Sequence, residues 1–375
     1  MRPLLLALLV TGPLAAQPAW TSPDGAVTVS VGGTLHADAR AVAGDATSAL
    51  LVRRARAEVE VEVAQRFRAV IEPGFGEGDA ELVDGWVEAD VVGDVRFRAG
   101  RFKSPFGLES LRSSSSLRFA ERSLATALSP RRDVGVMAHL ERPRVEAAVG
   151  LFNGVPDGAS GHHEPSDAKD LVARVLAAPV DGVFLGMAVA TGAERGTAGL
   201  PALADYETGA DHAFLAYRPY VVADGLRQRV GPQATVARGR FQADAEWTWA
   251  RHRVRGPEGP AEVENRAWQV AASVVLAGEP QGRERPLPSR PATAGGPGAV
   301  EVSARVHGFA ADPATAPLAT GGSARRAVAW AVAAHWTPVD PVRLGATVER
   351  TTFEGFDGAD GPAETALFVR AAFEL

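Results

Sequence analysis

Seven cationic side chains lie within residues 101–132, and only two acidic ones, Glu109 and Glu121, lie among them. Seven cations against two acids give this segment a net charge of +5, although the whole chain has a net charge of −6. Arginine presents a planar fork of donors that matches phosphate oxygens, and several confined cations raise the local anion concentration. The cations are Arg101, Lys103, Arg112, Arg118, Arg122, Arg131 and Arg132. Their clustering predicts a segment that attracts small anions.

The local excess of cations carries this argument, and the abundance of arginine does not. Arginine supplies all but two of the 39 basic residues of the chain, so an isolated Arg is not evidence for anion binding. The negative total charge also gives no reason to expect binding to nucleic acid.

No arrangement of side chains predicts catalysis. The chain has no Cys, and the serine run Ser113–Ser116 has no His and Asp at an informative spacing. The neighbouring His162 and His163 are a weak metal candidate, because adjacent side chains point to opposite sides of an extended chain. The sequence therefore predicts no enzyme, no cofactor and no metal site.

The segment "RRARAEVEVEV", residues 53–63, alternates charged and apolar side chains, which indicates a strand with one polar face. An Arg that faces lipid at the bilayer midplane costs roughly 2–4 kcal/mol, so the charged face must line a water-filled lumen. The predicted lumen wall comprises Arg54, Arg56, Glu58, Glu60 and Glu62. We expect Val59, Val61 and Val63 on the opposite face to contact lipid or a neighbouring subunit.

About seventeen segments of this kind, one of them near residue 215, indicate an all-β transmembrane antiparallel β-barrel. Single-chain bacterial barrels have even strand numbers, so we predict sixteen strands, with eighteen as the alternative. Tight turns alternate with long loops until about residue 222, but the alternation fails from there to about residue 325, where we expect one misassigned strand. A secreted β-sandwich is the other fold considered, but it predicts shorter strands than these.

The cationic segment 101–132 interrupts this wall. Pro105 removes a backbone donor, so the preceding strand cannot continue, and Gly107 permits a turn that other residues resist. Loops of this length in compact folds are usually functional, and a loop folded into a barrel narrows its channel. We therefore predict a long inward-folded loop that forms a constriction near residues 101–132.

The first sixteen residues have the features of a secretory signal peptide. Arg2 is followed by an apolar run from Leu4 to Leu14 and by the small residues Ala15 and Ala16. A membrane anchor is the alternative, but the run falls short of the roughly twenty residues that span a bilayer. We therefore predict a signal peptide at 1–16 and a barrel at 17–375.

Several segments resemble the phosphate-selective porin O and P family. They are "GRFKSPFGLE" at 100–109, "ERSLATAL" with "PRRDVGV", "GLFNG" at 150–154, "VLAGEP" at 275–280 and "AAHWTPVDPVRLGATVER". The resemblance runs in order from about Gly32 to Leu375. The block from Gly100 to Val136 is its most specific part.

The resemblance implies a sixteen-stranded barrel in the bacterial outer membrane that assembles as a homotrimer in lipid. In this family an inward-folded loop and lumenal arginines guide phosphate-like anions. By position, the matching constriction segment contains Arg101, Lys103, Arg112, Arg118 and Arg122. The expected function is passive, anion-selective diffusion of inorganic phosphate or other small anions. The alternatives are a general diffusion porin without phosphate preference, which the acidic wall residues favour, and a structural barrel that does not conduct.

Overall fold

The computed structural model describes residues 19–43, 48–161 and 168–375. Two elements of the sequence interpretation lie outside these residues, namely the signal peptide at 1–16 and the pair His162 and His163. No helix in the described part of the chain is long and apolar enough to cross a membrane.

Short 3-10 helices and strands of 2 to 19 residues make up the described residues. The strands are β1 (Ala19–Thr21), β2 (Val27–Ala43), β3 (Ala49–Val63), β4 (Phe67–Gly74), β5 (Glu81–Val92), β6 (Val95–Lys103), β7 (Arg132–Arg142), β8 (Val145–Phe152), β9 (Asp170–Val180), β10 (Val183–Arg195), β11 (Tyr206–Glu207), β12 (Ala213–Leu215), β13 (Val222–Arg238), β14 (Phe241–Gly256), β15 (Gly259–Ala277), β16 (Ala299–Ala310), β17 (Ala324–Val339), β18 (Val342–Gly355) and β19 (Glu364–Glu374). The 3-10 helices are Gly76–Gly78, Ser114–Ser116, Leu124–Leu128, Ala292–Ala294 and Pro313–Thr315.

Sixteen of these strands, β2–β10 and β13–β19, form one closed antiparallel barrel. Each wall strand pairs with the next, and β19 closes the ring against β2, from Thr365 opposite Ala43 to Glu374 opposite Thr34. The short β1 adds to β2 only, and β11 pairs with β12. The predicted all-β barrel with sixteen strands is confirmed.

The misassigned strand is the one predicted near residue 215, so our expectation that it lies beyond residue 222 was wrong. That segment is β12, which belongs to a small hairpin and not to the wall. The loop alternation fails beyond residue 222 for a different reason. Only Pro257 and Glu258 join β14 to β15 at the end of the barrel that otherwise carries long loops, whereas 278–298 is a long connection at the tight-turn end.

Along the long strands, side chains alternate between the outer face of the barrel and its lumen. On β14, Gln242, Asp244 and Glu246 are buried inside the barrel, whereas Phe241 and Trp247 are exposed on its outer face. This pattern places charged groups away from hydrocarbon, where an ionised side chain is costly. The interior is therefore polar while the outside is an apolar band.

We predict that single-cysteine variants on β3 will divide into two classes of reactivity. The chain contains no Cys, so each variant carries one thiol. In lipid vesicles, Glu60→Cys should react with a membrane-impermeant maleimide, whereas Val61→Cys, whose side chain lines an external apolar groove, should not react with it. Equal labelling of both thiols by the impermeant reagent would contradict the assignment of the two faces.

Candidate functional site

Residues 104–131, called the inward loop below, leave the wall after β6 and enter the lumen. Gly107 makes the first turn with φ at +80°, and a Cβ at this position would lie 2.9 Å from Glu246 Oε1. The backbone N–H groups of Leu108 and Glu109 then donate to the Glu246 carboxylate at 2.6 and 3.2 Å. Glycine is needed here because both the dihedral angle and the close approach exclude a side chain. The loop thereby crosses from β6 to β14.

Ion pairs fasten the inward loop to the far wall. Arg112 Nη1 lies 3.1 Å from Asp244 Oδ2 on β14, and Arg118 Nε lies 2.9 Å from Glu301 Oε1 on β16. Arg118 is only 5% exposed. Both guanidinium groups are thus neutralised by wall carboxylates, and they hold the loop in place across the barrel.

Glu121 forms a third attachment, to β3 and β19. Arg53 donates to both carboxylate oxygens, at 2.9 and 3.0 Å, and Arg370 Nη2 donates at 3.1 Å. Burial alone would raise the pKa of Glu121, but the positive charges of Arg53, Arg54 and Arg370 outweigh burial and lower the pKa well below its usual range. Glu121 therefore remains ionised, and the inward loop is bound on three sides.

A β-bulge brings Arg53 to this carboxylate. The register between β2 and β3 pairs His36 with Arg54 but Ala37 with Val52, so Arg53 is the additional residue. Strict alternation from residue 54 places Arg53 on the lipid side, so sequence analysis did not include it in the lumen wall. The available signal was the adjacent pair of arginines, because two neighbouring cations cannot both face the lumen in a regular strand.

A second loop, residues 196–221, packs against the inward loop. Its hairpin residues Phe214 and Leu215 join Leu124 and Leu128 of the inward loop in a buried apolar cluster that also includes Phe309 of β16. The Phe214 and Phe309 rings meet edge to face at 5.4 Å. This cluster fills the lumen beside β14–β17.

The long connection 278–298 enters the lumen from the tight-turn end. Ser116 of the inward loop donates to Glu284 at 2.5 Å, so the two segments meet inside the barrel. Arg283 crosses to Glu146 of β8 at 2.7 Å and lies over the Phe184 ring of β10 at 4.6 Å. These contacts obstruct the side of the lumen that faces β8–β10.

The three inward segments leave a cavity of about 490 Å³ beside β2–β7. Hydroxyl groups of Ser113–Ser116 line its edge, together with charged side chains of both signs. Its lining cations are Arg53, Arg54, Arg56, Lys103, Arg122, Arg131, Arg132 and Arg285. This cavity is the candidate permeation site.

Four of these cations have no carboxylate oxygen within 4.0 Å among the described residues, namely Arg54, Lys103, Arg122 and Arg131. Lys103 Nζ donates to the carbonyl oxygens of Leu111 and Arg112 at 3.0 and 2.9 Å, and Arg122 also donates to the Arg112 carbonyl at 2.9 Å. Carbonyl oxygens orient Lys103 and Arg122 without neutralising them. The four cations together form the uncompensated cluster of the cavity.

The pKa of Arg122 agrees with the description of this side chain as a cation without a carboxylate partner among the described residues. Burial, followed by repulsion from Arg131, lowers the pKa of Arg122 to about 10. Burial lowers the pKa of Arg131 in the same way. Arg122 therefore remains a cation at neutral pH, and a permeating anion would relieve the repulsion.

The other predicted site residues have different surroundings. Arg101 donates to the carbonyl of Gly161 at 2.8 Å and to that of Leu82, is 3% exposed, and does not line the cavity. Arg132 lines the cavity but pairs with Asp84 at 2.8 Å. Arg101, like Arg112 and Arg118, therefore holds protein segments together.

The predicted wall residues all lie on β3. Arg54, Arg56 and Glu58 line the cavity. Glu60 and Glu62 follow on the same face, toward the tight turn that leads to β4. Along this short stretch of β3, the lumenal side chains therefore change from cationic to acidic.

We predict that Glu121→Gln will loosen the inward loop. The change leaves Arg53 and Arg370 facing a neutral group. We expect a loss of roughly 2 kcal/mol of stability, below the 3–5 kcal/mol typical of broken buried pairs, because the Arg53 side chain is 27% exposed. Urea unfolding in detergent and the noise of single-channel current would measure both effects.

Asp94→Asn is the matched control, because it breaks an exposed ion pair with Arg142 at 3.0 Å. Unchanged stability and unchanged current noise in Glu121→Gln would mean that the other attachments suffice to hold the loop.

Comparison with solved structures agrees on the barrel. The outer membrane channel DcaP of Acinetobacter baumannii matches with a TM-score of 0.63 and 12% identity, covering 95% of this chain and 99% of that one. The anion-selective porin from Comamonas acidovorans matches with a TM-score of 0.58 and 10% identity, covering 93% and 100%. OmpT of Vibrio cholerae, in a trimer form, matches with a TM-score of 0.58 and 11% identity, covering 93% of this chain and 100% of that one. At such identities these likenesses show the fold alone.

Sequence comparison provides the family. No curated protein sequence shows significant similarity to the chain. The sequence profile of phosphate-selective porin O and P, however, matches residues 29–351, which is most of the barrel. The chain therefore belongs to the phosphate-selective porin O and P family.

Proposed function

We propose that this outer-membrane porin conducts small anions passively, and that selection occurs at the uncompensated cluster. The observation that carries the proposal is that, among the described residues, no carboxylate pairs with Arg54, Lys103, Arg122 or Arg131, in a cavity where the other cations are paired. Fixed charges in a confined site attract counterions more strongly than charges at an open surface. The excess is positive, so the expected counterion is an anion.

Oxyanions of the phosphate type are the proposed substrates. Arginine binds two oxygens of such a group at once, and lysine adds a point charge. Ser113–Ser116 add hydroxyl donors at the edge of the cavity. Binding has to stay weak and distributed over several groups, because an ion held tightly by one site would block the pore. These features support a channel rather than an enzyme.

The acidic side chains of the cavity oppose this selectivity less than their number suggests. Glu77 pairs with Arg53 at 2.8 Å, and Asp84 pairs with Arg132 at 2.8 Å. Glu72 lies 3.5 Å from Arg56. A general diffusion porin remains the second candidate, because Glu58 lines the cavity without such a partner among the described residues. Measurement of ion selectivity separates the two candidates.

We predict that the triple variant Lys103→Gln, Arg122→Gln and Arg131→Gln will lose anion selectivity. Glutamine keeps a donor for the loop carbonyls, so the expected change is in charge. The ratio of anion to cation permeability should fall roughly tenfold at 0.1 M salt and much less at 1 M, because the Debye length shrinks from about 10 Å to about 3 Å. Reversal potentials in a salt gradient across a planar bilayer give this ratio.

The matched control removes three arginines from the outer rim of β14, namely Arg251, Arg253 and Arg255. These side chains alternate with buried lumenal residues and are not part of the cavity lining. The control should keep the wild-type reversal potential. Equal shifts in both variants, or selectivity for neither ion in the wild type, would favour a general diffusion porin.

We also propose that the barrel assembles as a homotrimer through the outer face of β3–β8. On this side β4 and β8 have 8 residues each, below the roughly 9–11 that span a bilayer, whereas β13 and β15 have 17 and 19. Two apolar grooves of about 380 and 360 Å³ adjoin there, and both are lined by Val61 and Val87. The similar barrel of OmpT, whose structure is a trimer form, supports this assembly.

We expect Val87→Arg to dissociate the oligomer. Val332→Arg on the outer face of β17 is the control, because both valines are more than half exposed and carry the same insertion cost. Native gels and chemical cross-linking in mild detergent should show trimers for the control and smaller species for Val87→Arg. A monomeric wild type, or equal dissociation of both variants, would overturn this assignment of the interface.

A further inference from the structure

The lumenal face of β3 changes sign along its length. Arg54 and Arg56 lie beside the inward loop, and Glu58, Glu60 and Glu62 follow at alternate positions toward the tight turn. Short turns face the periplasm in outer-membrane barrels, and long loops face the outside. An ion that enters from outside therefore meets the uncompensated cluster first and the three carboxylates afterwards.

The three carboxylates are not neutralised. None has a cationic nitrogen within 4.0 Å among the described residues. The cation opposite Glu62 on β4 is Arg68, but its guanidinium lies 3.9 Å from Glu88 instead. Glu60 lies opposite Val70 of β4, and this side chain carries no charge.

The space beside these carboxylates is open. Their neighbours on β2 are Gly32, Ser30 and Thr28, opposite Glu58, Glu60 and Glu62 respectively. These small side chains do not reach across the lumen. All three glutamates are only partly buried, so their carboxylates remain accessible to solvent.

The other charges at this end of the lumen largely cancel. Arg98 pairs with Glu88 at 2.7 Å and Arg96 lies 3.7 Å from both Glu88 and Asp90. The carboxylate of Glu146 is shared by Arg174 and Arg283, at 3.2 and 2.7 Å. His139 also binds Glu88, at 2.8 Å, and Glu141 lies within 4.0 Å of Arg96. Counting Arg68, five arginines here face four carboxylates and leave a net charge of +1, so the three glutamates of β3 still give the described residues at this end an acidic excess.

We propose that the lumen is bipolar, with a cationic constriction followed by an acidic exit formed by Glu58, Glu60 and Glu62, and that ionic current through it rectifies. The inference rests on the proposed anion conduction and adds a direction to it. Sequence alternation placed the glutamates in the lumen. The structure adds that they are unpaired and lie beyond the cations.

The direction of rectification follows from the order of the charges. Anions accumulate at the cationic constriction and cations accumulate at the acidic exit. A positive potential on the periplasmic side drives both populations toward the junction between the two zones, so the carrier density and the current increase. The opposite potential drives both kinds of ion away from the junction, so the carrier density and the current decrease. Rectification changes rates under a driving force and leaves the equilibrium distribution of the anion unchanged.

The acidic exit also affects how long an anion stays. Several cations in a confined site would retain an oxyanion, and conduction requires that binding be weak enough for release. Carboxylates just beyond the site repel an anion that has begun to bind there and shorten its dwell time. The carboxylates therefore speed release of the anion and lower the affinity of the site for it.

Single-channel current–voltage curves in symmetrical 0.1 M KCl test the proposal. Wild-type current should be roughly twofold larger with the periplasmic side positive, and this asymmetry should fade at 1 M salt as the Debye length shrinks to about 3 Å. Glu258→Cys at the exposed loop-end turn, labelled with biotin, reports insertion direction. Streptavidin in one compartment should lower the current only in channels whose loop end faces it.

The triple variant Glu58→Gln, Glu60→Gln and Glu62→Gln should make the curve linear and lengthen the block of the current by inorganic phosphate. The control is Asp24→Asn, Asp94→Asn and Asp181→Asn, which removes three exposed acids from the same end of the barrel. The control should rectify like the wild type.

A linear wild-type curve in an anion-selective channel would overturn the bipolar lumen and leave the proposed function intact. Unchanged rectification in the glutamine variant would also overturn it. Absence of anion selectivity in the wild type, measured by reversal potential, would overturn the proposed function itself together with this inference.

Discussion

The attachment of the inward loop to the far wall is the interaction on which the pore depends. Glu246 accepts two backbone N–H groups at the start of the loop, and Glu301 pairs with Arg118 farther along. Because a buried carboxylate is costly unless it is paired, each wall acid positions a specific part of the loop. These two acids hold the start and the middle of the loop against β14 and β16, and the cavity remains beside β2–β7.

The same requirement separates two kinds of cation that composition alone cannot distinguish. Arg112 and Arg118 reach wall carboxylates and become structural, whereas Lys103 and Arg122 reach only backbone carbonyls in the part of the chain that the structure describes. A carbonyl dipole fixes the orientation of a cation but leaves its net charge available to an ion in the cavity. The proposed anion selectivity therefore depends on the cations that have no carboxylate partner among the described residues, and not on all seven cations of the segment.

Sequence periodicity predicted the barrel, and Pro105 and Gly107 predicted that a long inward-folded loop interrupts the wall, because both depend on alternation or on local backbone chemistry. It could not predict which loop cations pair, since Asp244 and Glu301 are more than a hundred positions away in the chain. The bulge at Arg53 and the hairpin at β12 were also missed. Both break the two-residue period through tertiary contacts, to Glu121 in one case and to the buried Phe309 cluster in the other.

The order of charges on β3 links strand geometry to permeation. A strand rises about 3.3 Å per residue and alternates faces, so consecutive lumenal positions lie roughly 7 Å apart along the pore. Arg56 and Glu58 are such neighbours, and the fixed charge of the wall reverses within that distance. This distance is shorter than the Debye length of about 10 Å at 0.1 M salt, so the two zones act on the same ion. In the proposed bipolar lumen, the stretch of β3 from Arg54 to Glu62 therefore supplies both attraction at the constriction and repulsion at the exit without any moving part.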